Sequence, residues 1–210
     1  MVTSEFYSED YYERGLETGK SNYQNYRWIP ELTVPFAMSL IDFLEINREH
    51  SVLEIGCAKG FLVKGFRWLH RRAWGVDIST YAVENCDPEV KRYIFHTEEC
   101  CRVLAGEHYD WCIGKDVWEH NDVPVLKELL LTIPARNLFS IIPLAENGKY
   151  NAFANELDAS HIIRENAEWW RNFFAECNWK ETFFAYKLDG MKEAYRHTPK
   201  AHLFITHERI

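Results

Sequence analysis

The stretch VLEIGCAKG, Val52 to Gly60, sets a short apolar run against an acid and two glycines. A continuous apolar run of this length reads as a strand buried on both faces, and glycine directly behind it marks a turn whose backbone bends sharply or is closely approached. Downstream, GFLVKGFRWLHR has apolar residues at helical spacing, AWGVDI reads as a second buried strand and TYAVENC as a helix. The alternation continues through RYIFH, a short helix around 98–104, YDWCIG, a helix in VPVLKELLLTI, and NLFSII. Strands separated by helices predict a parallel sheet covered on both faces. Upstream, ELTVPFAMSLIDFLEINR predicts a first helix over 33–47, with Pro35 in its first turns or breaking it. Past Pro143 a long connection, to about 164, leads to the amphipathic NAEWWRNFFAEC. WKETFFAYKL and KAHLFITHER then predict an antiparallel hairpin finishing the sheet's edge. The fold class is α/β, doubly wound and seven-stranded.

With 210 residues and 47% hydrophobic content the chain can bury one full-sized core. Residues 1–30 read as a polar arm rich in aromatics, closed by Pro30, and 31–210 as the domain proper. The 32 acids against 24 Lys and Arg give a formal charge of −8, with no basic block, which argues against a broad nucleic-acid footprint. The start MVTSEFYSEDYYERG shows no charged-then-apolar signal pattern, and no apolar run is long enough to span a bilayer. A soluble, cytoplasmic protein is expected. The six cysteines form no C-x-x-C framework and read as reduced, buried thiols. Zinc held by Cys100 and Cys101 with His96 or His108 does not match common zinc spacings.

In a sheet of this kind the turn after the first strand lies at the carboxyl edge, where ligands bind and the next helix opens with free N–H groups. An ordinary strand-to-helix turn would also use glycine. The spacing excludes the phosphate cradles: G-x-G-x-x-G would need glycine at Ala58 and Phe61, and the Gly-Lys-Ser/Thr of a P-loop is missing. Glu54, just before the turn, would repel a pyrophosphate and attract a cation. Asp77 ends the second strand about twenty residues on, where an acid can accept both hydroxyls of a ribose. A ligand with a ribose and a positive charge but no phosphate is S-adenosylmethionine.

VLEIGCAKG, GVDIS and YDWCIGKDVWEH resemble the three ordered motifs of class I S-adenosylmethionine-dependent methyltransferases, which have a Rossmann-like, mostly parallel seven-stranded sheet with an antiparallel C-terminal hairpin. DYYERGLETGKSNYQNYRW and the later DASHI and WW resemble a bacterial and phage subgroup that methylates sugars and surface glycans. The resemblance implies that Glu54, Gly56 and Gly60 hold the methionine end, with Cys57 and Ala58 in the same turn, and that Asp77 holds the ribose beside Ile78. Ala58 stands where the family often has glycine. The family's adenine-contacting acid falls in HTEE, on Glu98 or Glu99, both of which would equally suit a helix start. Lys115 and Asp116 follow the fourth strand at the same edge, and Tyr23 is the arm residue assigned to the cofactor.

On the acceptor side, His120 reads either as the base that takes the acceptor's proton or as a loop-ordering hydrogen-bond partner, with Asp116 catalytic or capping a turn. Asp158 and His161 lie in the connection that forms a lid in this fold, as a catalytic pair or an ordinary loop pair. No metal is assigned. A rival resemblance exists: the order Asp116, Glu119, His120, His161 is similar to the metal cluster of small-RNA 3′-end 2′-O-methyltransferases, although that family has Glu where this chain has Asp116. Seven rings, from Phe6 to Trp28, sit on an arm with five acids and three bases. The arm reads as a cap over the site, with Tyr23 and Tyr26 nearest it, or as packing against the sheet or a second subunit in a homodimer. Trp169, Trp170, Phe173 and Phe174 recur at near-helical spacing and read as core. The expected activity is methyl transfer to an oxygen of a small polar acceptor, a sugar, nucleotide-sugar or glycan. A cofactor-binding subunit without catalysis of its own is the other class.

Overall fold

The computed structural model describes residues 3–96 and 108–210. The helix expected around 98–104, Cys100, Cys101 and the adenine candidates Glu98 and Glu99 lie outside the described residues.

Seven strands form one sheet in the order β3-β2-β1-β4-β5-β9-β8. They are β1 (Ser51–Ile55), β2 (Arg72–Asp77), β3 (Ile94–His96), β4 (Tyr109–Lys115), β5 (Ala135–Pro143), β8 (Trp179–Ala185) and β9 (His202–Arg209). β1 is buried along its whole length because it lies between β2 and β4, parallel to both. The late hairpin pairs antiparallel as expected, and it joins the sheet through its second strand. β9 lies between β5 and β8, antiparallel to each, and β8 takes the edge.

Apolar residues divide between the two faces. Ala37 and Leu40 of the helix Pro30–Phe43 and Leu62, Val63 and Phe66 of the helix Phe61–Trp68 cover one face. Leu126 and Leu130 of Val123–Thr132 and Trp170 and Phe174 of Ala167–Glu176 cover the other, so Trp170 is core, as its spacing predicts. The first helix begins earlier than predicted. Pro30 does not close the arm but opens the helix, because proline suits a first turn whose N–H needs no partner. Glu45 at φ +53° stops it soon after Phe43. Pro35 lies inside the helix and is tolerated there. No helix among the described residues is long and apolar enough to cross a membrane.

The connection after Pro143 is built rather than structureless. β6 (Ala145–Glu146) and β7 (Lys149–Tyr150) form a two-stranded ribbon turned by Asn147 and Gly148, both at positive φ. Ile162 and Ile163 then donate their N–H groups to the Glu119 carbonyl at 2.8 and 2.9 Å, tying the connection to the segment after β4. That segment is seated by Trp118, which is fully buried and donates to Ser140 Oγ at 2.8 Å. Its indole lies so close to Gly114 that an added Cβ would meet ring atoms at 2.0 and 2.2 Å. Gly114→Ala is expected to destabilise the protein by about 2–3 kcal/mol, read by urea denaturation, because neither rigid ring nor strand can give way.

Candidate functional site

The carboxyl ends of β1, β2 and β4 open into a cavity of about 770 Å³. Glu54, Gly56, Cys57, Ala58, Asp77, Ile78, Lys115, Asp116, His120 and Tyr23 all line it, so the structure brings together every described residue the sequence assigned except Gly60 and His161.

Gly56 and Gly60 lie at φ +73° and +76°, where L side chains are strained. A Cβ on Gly56 would meet Val117 Cγ2 at 2.5 Å and one on Gly60 would meet Ile94 Cδ1 at 2.7 Å. Glycine is required there by both conformation and space. Ala58 also adopts positive φ, +48°, which is the physical reason a glycine suits that position. It is held by Asp77, whose Oδ2 accepts the Ala58 N–H at 2.7 Å while Oδ1 accepts the Ser79 N–H at 2.8 Å. Burial raises the Asp77 pKa against the pull of these two donors. One lone pair on each oxygen remains for a ligand. Glu54 is 4% exposed, and its Oε2 has no hydrogen-bond partner among the described residues. Burial pushes its pKa up to about 8, against the attraction of Lys115. A buried carboxylate held so high needs a cation to become ionised.

The arm lies over this turn. Tyr7, Tyr11 and Tyr12 are buried in one cluster with Ala82, and Tyr23, Tyr26, Ala58, Ile78 and Tyr81 pack against it. Tyr12 stacks on Tyr81 with centroids 6.0 Å apart, Tyr26 leans on Phe61, and the Tyr7 carbonyl accepts the Ser79 hydroxyl. Lys59 pairs with Glu13, fixing arm to turn. Burial pushes the Tyr23 hydroxyl up to about 12, so it stays a neutral hydrogen-bonding group.

Asp116 adopts φ +51° and pairs with Lys115 at 3.2 Å and with Lys192. Burial alone would raise its pKa, but Lys192 and Lys115 hold it well below the usual carboxylate range. It is an anchored anion, not a proton acceptor near neutral pH. Lys192 comes from the segment between β8 and β9, which also brings Gly190 and Tyr195 to the cavity wall. Sequence reasoning missed these residues. The signal was the length of the loop, since a connection beyond about 12–15 residues in a compact domain is usually functional.

His120 and His161 meet edge to face with centroids 4.7 Å apart. His120 lines the cavity, and His161 stands behind it against Tyr150, centroids 5.1 Å apart. Glu119 faces both and is fully buried. Burial, reinforced by the neighbouring imidazole, lowers the His120 pKa to about 4, and burial lowers that of His161. Asp158 does not face the cavity: its Oδ2 accepts from Tyr11 at 2.6 Å and its Oδ1 accepts the N–H and hydroxyl of Ser160. It braces the arm and the cluster.

No protein-family model matches the sequence, and no curated protein matches it. Solved structures match over most of the chain. An S-adenosylmethionine-dependent methyltransferase from Archaeoglobus fulgidus superposes with a TM-score of 0.63 at 16% identity, covering 82% of this chain and 92% of that one. A methyltransferase of the same cofactor class from Clostridium acetobutylicum gives 0.62 at 9% identity, covering 86% and 92%. Magnesium protoporphyrin IX methyltransferase from Synechocystis, solved with S-adenosylmethionine bound, gives 0.57 at 13%, covering 84% and 79%. At these identities the likeness is one of fold: this chain has the Rossmann-like fold of the class I S-adenosylmethionine-dependent methyltransferases.

Proposed function

We propose that this protein transfers a methyl group from S-adenosylmethionine to an oxygen of a small polar acceptor, a sugar or nucleotide-sugar before others. The observation that carries the reading is the buried oxygen of Glu54, without a hydrogen-bond partner among the described residues, beside Gly56 on the cavity wall. A carboxylate there disfavours a phosphate and suits an ammonium. The residues present fit the cofactor: Glu54 would hold its ammonium, the turn Gly56–Gly60 its methionine chain, and the free lone pairs of Asp77 its ribose beside Ile78. Tyr23 and Tyr26 would close over it from the arm. When bound, the cofactor supplies an electrophilic methyl on a sulfonium. The chain's own part is to align the acceptor, exclude water and receive a proton. His120 is the cluster member on the cavity wall, with His161 and Glu119 behind it. Asp116, paired with Lys115 and Lys192, positions that wall.

The tyrosine rings along the cavity favour a sugar, whose faces stack on aromatics. The net charge of −8 disfavours a polyanion. The test is transfer of labelled methyl from S-adenosylmethionine to separate pools of nucleotide-sugars, glycan fragments and short RNAs. Label in a sugar pool is expected. Label confined to RNA would overturn the acceptor class, and no label despite bound cofactor would favour a non-catalytic subunit.

A further inference from the structure

We infer that Glu119, His120 and His161 form a three-ligand site for a zinc-class divalent transition-metal ion at the acceptor side of the cavity. One ligand atom from each lies within 4.8 Å of the others. Nε2 of His161 and Nε2 of His120 stand 3.7 and 3.9 Å from Glu119 Oε1. Two ligand atoms on a tetrahedral zinc are about 3.3 Å apart, so a small contraction around an ion completes the geometry.

Proton positions follow from the surrounding hydrogen bonds. His161 Nδ1 is 2.8 Å from the Asn155 carbonyl, which can only accept, so Nδ1 carries the proton and Nε2 a lone pair. His120 Nδ1 is 2.8 Å from Ser160 Oγ, whose own proton goes to Asp158 Oδ1. His120 Nδ1 is therefore the donor, and its Nε2 also carries a lone pair. Both lone pairs sit near Glu119, whose two oxygens have no hydrogen-bond partner among the described residues. Three electron-rich groups thus converge with no donor between them. Protonating Glu119 does not resolve this, because 3.7 Å is too long for a direct hydrogen bond. A cation does.

The surroundings match what metal-bound imidazoles require, since each outer nitrogen donates to an oxygen that fixes ring and tautomer. Asp158, braced by Tyr11, is the outer partner on the Ser160 side and acts as a positioning residue. Two imidazoles and one carboxylate suit zinc, cobalt or iron, not magnesium or calcium, which favour oxygen shells. Asp116 is not a ligand here, because its charge is committed to Lys115 and Lys192. Three protein ligands leave a fourth position open, and because His120 lines the cavity, an acceptor's oxygen entering there could take it. With an ion bound, His120 and His161 are ligands and that oxygen meets the ion in place of a bare imidazole.

Metal binding can be measured without cofactor or acceptor, so its outcome is independent of the proposed methyl transfer. Chelator-stripped full-length protein is titrated with Co²⁺, read by its visible d–d bands, and with Zn²⁺, read by calorimetry. One ion per chain is expected. Glu119→Gln and His161→Gln should each weaken binding at least about 100-fold, and Asp158→Asn by about 10–100-fold. Asp116→Asn should keep one ion per chain. Circular dichroism of each variant checks that it folds. Should folded wild-type protein bind neither ion, or should folded Glu119→Gln and His161→Gln bind as tightly as wild type, the site does not exist. Loss of the ion in Asp116→Asn with its fold intact would overturn the three-ligand assignment.

Discussion

Glu54→Gln is expected to raise the thermal stability of the ligand-free protein while weakening S-adenosylmethionine binding about 100-fold or more. The two effects share one cause. The Glu54 carboxyl titrates at about 8 in the fold, against an ordinary value of 4.5. Because the folded state holds the proton longer, stability is complete below the ordinary value and is lost as pH rises from there through about 8. At pH 7 this penalty is about 3 kcal/mol, and glutamine, which never ionises, removes it. The variant should melt several degrees higher at pH 7 and match wild type below pH 4.5, measured by calorimetry across pH. The same substitution deletes the charge meant for an ammonium, and removing one member of a buried ion pair costs about 3–5 kcal/mol. A variant that is more stable yet binds normally would contradict the assignment of Glu54.

Asp77→Ala is expected to fail in both respects. The carboxylate satisfies two backbone N–H groups, and one belongs to Ala58, a non-glycine residue at positive φ. Alanine leaves both donors unpaired, and at about 1–3 kcal/mol each the loss is about 2–6 kcal/mol. Cofactor affinity should fall about 100-fold, through the lost ribose contact and through release of the turn. Asp77→Asn keeps one acceptor oxygen and should fall between alanine and wild type. Urea denaturation and cofactor titration of the three proteins separate the two contributions. If Asp77→Ala keeps full affinity, the ribose assignment is wrong.

The parallel half of the fold was legible because its central strands are largely buried. SVLEI and YDWCIG are predominantly apolar, Ser51, Glu54 and Asp110 apart, as the centre of a covered sheet requires. The order of the last two strands was not legible, since hairpin periodicity says which strands pair but not which of them joins β5. The first helix slipped because Pro30 serves equally to end an arm and to open a helix, and only the extended Ile29 before it decides. The ribbon after β5 was legible and went unread: Asn147-Gly148 between AE and KY is a two-residue hairpin turn.

The residues proposed for the cofactor could be picked out because they fall within three short motifs at fixed places on the sheet. The acceptor side could not be read to the same depth. Lys192 reaches Asp116 from 76 residues away, and the facing nitrogens of His120 and His161 depend on Ser160 and the Asn155 carbonyl. No local spacing encodes those contacts. Asp158 illustrates the point. In the sequence it read, with His161, as a catalytic or an ordinary loop pair; in the fold its Oδ2 stands 4.0 Å from His161 Nε2 while its hydrogen bonds go to Tyr11 and Ser160.

The most direct measurement is calorimetric titration of S-adenosylmethionine into the wild-type protein at pH 7, in two buffers of different ionisation enthalpy. Saturable one-to-one binding with release of close to one proton is expected, because an arriving ammonium converts Glu54 from its protonated to its charged form. Absence of binding would contradict the claim that this cavity holds the cofactor, and binding without proton release would contradict the role of Glu54.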